Sequence, residues 1–212
     1  RQLRLEKVLL IGLWGSNSLA DAENSLRELA ALAETAGSTV LDGLLQRRSY
    51  PDPATYLGKG KAEELRELVA SSGADTVIAD TELAPSQRRN LEDVVKVKVV
   101  DRTAVILDIF AQRATTSYAR TQVELAQYQY LLPRLTGMWT HLSKQKGGIG
   151  MKGPGEKEIE TDRRVLRDKI ALLKSKLQDI EKIGFTQRKS RDGVFRCALV
   201  GYTNVGKSTV MN

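Results

Sequence analysis

Two hydrophobic rhythms alternate over the first hundred residues. KVLLIGL at 7–13 is a continuous apolar run of strand length; the stretch after it puts Leu19, Ala22, Leu26, Leu29 and Leu32 on one helical face and stops at Gly37. The alternation then repeats. STVLDGLL reads as a strand, KAEELRELVASSG as a helix, DTVIAD as a strand, PSQRRNLEDVV as a helix and KVKVVD as a strand. Such an order needs right-handed crossovers and a mainly parallel sheet, so residues 1–103 are predicted to form a small α/β domain. Ligands of these sheets sit beyond the C-terminal ends of the strands, where this chain offers LWGSNS, RRSYPDPATYLGKGK and DTELAPSQ. GKGK at 58–61 opens a helix and could hold an anion, with a plain solvated turn as the simpler reading.

After Asp101 the strand signal disappears, and residues 104–189 read as helical. Ile159, Leu166, Leu173 and Ile180 recur every seven residues, with Ile170 and Leu177 in the second seam position. Leu125, Tyr128, Leu132, Leu135, Trp139 and Leu142 form a matching seam upstream, with Pro133 expected to kink that helix or remove one of its backbone hydrogen bonds. Two seams joined by a short connection imply a long antiparallel helical hairpin with a glycine-rich tip loop at 144–156. A second helix over 157–183 would be about 40 Å long. TQRKSRDG at 186–193 reads as a linker, and residues 190–212 open a third unit.

Charge changes this picture in one place. The formal net charge is +7, yet residues 1–133 carry 16 basic against 18 acidic side chains, whereas residues 134–191 carry 15 against 7. The positive excess therefore lies on the hairpin, which is the electrostatic footprint of a polyanion partner; a basic solvated helix face is the alternative. The tip lysines Lys144, Lys146 and Lys152, with Arg163 and Arg164 on the second helix, are the candidate contacts to the phosphates of such a polyanion. Tyr118, Tyr128, Tyr130 and Trp139 could stack on bases, though seam packing is the reading their spacing favours. One cysteine, Cys197, and one histidine, His141, exclude a disulfide framework and a Cys/His metal cluster. No apolar run is long enough to span a membrane and no signal peptide is apparent, so a cytoplasmic or organelle-matrix location is expected.

The chemistry is carried by GYTNVGKST at 201–209, which fits GxxxxGK[ST] and follows the apolar run VFRCALV. Gly201 and Gly206 let the backbone wrap a phosphate together with Tyr202, Thr203, Asn204, Val205 and Thr209; Lys207 would reach the β- and γ-phosphates, and the Ser208 hydroxyl would bind Mg²⁺. Cys197, inside the expected strand, reads as a buried core residue. A GTPase further needs a switch threonine, a DxxG and an NKxD. None occurs after the motif, so the chain reads as a fragment of a longer protein whose nucleotide domain begins near residue 194, and the fragment alone is not expected to hydrolyse nucleotide.

Four stretches in order, VVDRTAVILDIFAQRA, QVELAQYQYLLPRL, GGIGMKGPGEKEIETDRR and VGYTNVGKST, resemble the HflX family of translational GTPases. The resemblance implies an N-terminal α/β domain, a helical hairpin and a following G domain. It further implies a monomeric GTP-dependent factor that binds the large ribosomal subunit through its ribosomal RNA and splits or rescues ribosomes, chiefly under stress. Asn204 matches an asparagine that related GTPases use to hold K⁺, with loop closure as its other role. From the residues alone, an RNA-binding module without catalysis and a P-loop ATPase or helicase-like factor remain the alternatives, because the motif does not choose between GTP/GDP and ATP.

Overall fold

The computed structural model describes residues 6–15, 18–135, 154–189, 197–202 and 206–211. Four strands, β1 (Lys7–Trp14), β2 (Thr39–Arg47), β3 (Thr76–Ala79) and β4 (Lys98–Asp101), form one parallel sheet in the order β2-β1-β3-β4. Lys7 lies opposite Thr39, Val8 opposite Thr76, and Thr76 opposite Lys98. Helices α1 (Leu19–Thr35), α2 (Lys59–Ser72) and α3 (Pro85–Val95) connect the strands, and together with α4 (Arg102–Arg113), which follows β4, they cover both faces. A parallel sheet needs both faces dry, which is why β1 reads as an unbroken apolar run.

The pleat divides that run between two cores. Leu9 and Ile11 point to the side of α2 and α3, where Leu57, Leu65, Val77, Leu91 and Val99 are buried. Val8 and Leu10 point to the other side, packing with Leu29, Ala33, Ile78 and Val105 from α1, β3 and α4. On that side Leu26 presses onto the sheet at Gly43, where a Cβ would lie 2.6 Å from its Cδ2. Local signals fix the helix ends. Ser18 and Asp21 form a reciprocal capping box at the start of α1. Gly73, at φ +65°, closes α2 in the left-handed conformation that glycine adopts without a Cβ penalty.

Beyond α4 the chain turns at Thr116, whose hydroxyl caps α5 (Ser117–Leu131) by accepting the Ala119 N–H. Of the two outcomes expected of Pro133, the missing hydrogen bond is the one seen: α5 passes into a 3-10 turn, Leu132–Arg134, because proline supplies no N–H for the α ladder. α6 (Pro154–Lys189) is 36 residues long, which exceeds the expected 157–183 at both ends. α6 packs on α5 with opposed direction, since Tyr118 hydrogen-bonds Glu181 whereas Glu124 reaches Lys169. Ile170 and Leu173 are the buried seam residues of α6, with Leu166, Leu177 and Ile180 half-buried beside them.

Candidate functional site

The GxxxxGK[ST] segment ends in a short helix, α7 (Lys207–Met211). Gly206 takes φ +83°, a conformation favouring glycine, and its carbonyl accepts the Val210 N–H at 3.1 Å. The Lys207 ammonium folds back over the loop, donating to the Gly201 carbonyl at 2.7 Å and to the Tyr202 carbonyl. Held on these two carbonyls, the Lys207 ammonium closes the loop on itself, and a cation of this kind is the chemistry that a phosphate group requires. Thr203, Asn204 and Val205 lie outside the described residues, as does the Ser208 side chain; Thr209 is exposed.

Upstream of the motif the structure corrects the sequence. Residues 197–202 are not in a strand, and Cys197 is exposed rather than buried, as are Leu199, Val200 and Tyr202. The reason is physical: a strand forms only against a neighbour that accepts its ladder bonds and covers its apolar face, and this segment has none among the described residues.

At the C-terminal edge of the sheet, two of the three expected loops are tied down by their own polar groups, and the third, LWGSNS, lies partly outside the described residues. The Asp52 carboxylate accepts N–H groups from Ala54 at 2.9 Å and Thr55 at 3.2 Å, which holds it below the usual aspartate range, with Arg48 adding attraction. Gln87 Nε2 donates to the Asp52 carbonyl at 2.7 Å, fastening this loop to α3. GKGK starts α2 with no side-chain cap; the Gly58 N–H bonds Gln46 and Lys61 pairs with Glu64, which matches the plain-turn reading. Just past the end of β3, Asp80 accepts from the Ser25 hydroxyl at 2.6 Å and from Arg102 at 2.9 Å, and Arg102 also meets Glu28 at 2.7 Å. Arg102 is thus neutralised by two carboxylates and leaves no free cation for an anion at this point.

Sequence reasoning missed a buried polar knot that joins the α/β domain to α5. Asp101, 0 % exposed, closes β4 and caps α4 by accepting the Ala104 N–H at 3.0 Å. The same carboxylate accepts the Leu83 N–H at 3.2 Å and the Tyr130 hydroxyl at 2.9 Å, and it pairs with Arg134 at 3.5 Å. Arg134 also meets Glu82 at 2.8 Å and lies over the Tyr130 ring, 3.7 Å from its centroid. The one available signal was DRT, an aspartate between a strand and a helix, which marks the cap but not the partners.

The candidate RNA residues are only partly described. Arg163 is half-buried and Arg164 exposed on α6, whereas Lys144, Lys146 and Lys152, with Trp139 and His141, lie outside the described residues. Tyr128 packs in the helix seam under Lys169, 4.8 Å from its ring centroid, as its spacing predicted. Among the described residues no helix is long and apolar enough to cross a membrane.

Two family models match the chain: residues 23–111 match "GTP-binding GTPase N-terminal" and residues 113–191 match "GTP-binding GTPase Middle Region". Together they define the class: the chain is the N-terminal and middle regions of the family whose models are described as GTP-binding GTPases. "GTPase HflX" of Flavobacterium psychrophilum is 55% identical over 211 residues, 99% of this chain and 51% of that protein. "GTPase HflX" of Escherichia coli is 48% identical over 189 residues, 88% of this chain and 44% of that protein. The chain belongs to the HflX family, and it spans about half the length of these curated relatives. Two solved structures share the fold. A GTP-binding protein from the archaeon Sulfolobus solfataricus, solved with GDP, has a TM-score of 0.57 at 20% identity over 84% of this chain and 47% of that one. SsGBP in complex with GDP has a TM-score of 0.61 at 23% identity over 98% of this chain and 55% of that one.

Proposed function

We propose that this chain is the RNA-facing part of a GTP-binding, GTP-hydrolysing factor that binds the large ribosomal subunit and splits or rescues ribosomes, chiefly under stress. The observation that carries the reading is family membership combined with a GxxxxGK[ST] loop on which Lys207 is folded over the Gly201 carbonyl. Relatives named GTPase and fold relatives solved with GDP support guanine nucleotide as the ligand. In this reading Gly201–Thr209 wrap the phosphates, Ser208 holds Mg²⁺ and Asn204 holds K⁺.

The unit over 104–189 is an antiparallel hairpin whose basic loop at 144–156 approaches ribosomal RNA, standing on the α/β domain of residues 1–103. The opposed packing of α5 and α6 supports that arrangement. Residues 190–212 begin the nucleotide-binding domain. The factor acts as a monomer in the cytoplasm. Titration of the full-length protein with GTP and ATP tests the central claim: GTP is expected to bind far more tightly. Equal affinities would sink it.

A further inference from the structure

The root of the long helix carries apolar surface that the described structure does not cover. Ile183 and Phe185 on α6 are 58 % and 69 % exposed, and Tyr118 at the start of α5 is exposed beside them. Tyr118, Ile180, Gly184 and Phe185 line a groove of about 870 Å³, and the bond from the Tyr118 hydroxyl to Glu181 ties its two sides together. Isolated exposed apolar residues need no explanation, but a lined groove with several of them marks an interface. Gly184 is a second sign. Inside a helix glycine costs roughly 0.5–1 kcal/mol relative to alanine, and its use is to let another backbone approach.

We propose that this groove seats the nucleotide-binding domain that the GxxxxGK[ST] segment opens; the proposal rests on the functional reading above. Only the ten residues 187–196 separate Thr186 from Cys197, a reach of at most roughly 35 Å, so that domain is held at high effective concentration beside the groove. Relatives are about twice the length of this chain, which supplies the mass such a domain needs. Three or four large side chains at the centre of a patch suit an inter-domain contact of several hundred Å².

The test is hydroxyl-radical footprinting of the full-length protein, with Tyr50, 80 % exposed and far along the chain from the groove, as the internal standard. After correction for intrinsic reactivity, Phe185 and Tyr118 are expected to react at least about fivefold more slowly than Tyr50, because an interface core excludes water. Gly184→Leu, which fills the groove, should raise Phe185 to the rate of Tyr50. Amine cross-linking of Lys182, which lines the groove, identifies the occupant: links within one chain to lysines C-terminal of the motif are expected. Reaction of Phe185 at the rate of Tyr50 in the unmodified protein overturns the proposal, and so do cross-links that run only between two chains. Binding of a fluorescent GDP analogue is measured in the same samples. Its failure would remove the functional reading, whereas a reactive Phe185 with intact GDP binding would remove only the groove assignment.

Discussion

Asp101 shows how much one carboxylate can organise. It takes hydrogen bonds from a strand-exit loop, a helix start and a tyrosine, and it faces a guanidinium that is itself only 4 % exposed. Asp101→Ala leaves the Leu83 N–H and the Tyr130 hydroxyl without their acceptor and takes from Arg134 one of its two carboxylates, Glu82 remaining, and each buried polar group left unpaired costs about 1–3 kcal/mol. Urea unfolding should register that loss as a lower midpoint. Burial, followed by the adjacent Asp101 charge, raises the Tyr130 phenol above its ordinary value of 10.0. The folded protein then keeps a proton that the unfolded chain releases. Stability is therefore full below that value and falls as pH rises above it, by up to about 1.4 kcal/mol per pH unit. Unfolding free energies measured between about pH 8 and 11 should decline more steeply in the wild type than in Tyr130→Phe; equal slopes would contradict the assignment. None of this knot is periodic in sequence. Asp101 and Arg134 are 33 residues apart, and only the fold brings them together.

Elements were legible where their signal is local. α3 begins at Pro85 and ends at Val95, the same bounds that its pattern and proline start predict, and of the heptad positions of α6 Ile170 and Leu173 are buried, with Leu166, Leu177 and Ile180 half-buried. The seam makes a sharp contrast between neighbours. Ile170→Ala removes a buried contact with α5 and should cost about 2–3 kcal/mol, whereas the exposed Leu172→Ala should change stability by less than about 0.5 kcal/mol. Thermal unfolding of the two variants side by side checks it; similar losses would mean that α6 is not held by this face. What failed was the strand before the nucleotide motif. Its apolar run satisfies every local rule, yet strand formation is decided by neighbours, which no local pattern contains.

At the scale of the whole molecule the charge asymmetry sets the behaviour. The α/β domain is close to neutral and the helical region carries the cationic excess, so attraction to RNA should act through one end of the protein. Reversing Lys144, Lys146 and Lys152 to glutamate in the full-length protein should weaken large-subunit binding and flatten its salt dependence by about 2–3 in the log–log slope. Binding measured across a salt series checks this, and an unchanged slope would exclude the loop as a phosphate contact.

The knot at Asp101 also imposes an order in time. Emerging from the ribosome during its own synthesis, the chain completes all four strands by Asp101, but Arg134 follows 33 residues later. At roughly 5–20 residues per second, the carboxylate waits about two to seven seconds for its cation. Over that interval the newborn sheet holds an acidic group whose counter-charge has yet to be translated, and the docking of α5 is the event that locks the finished domain.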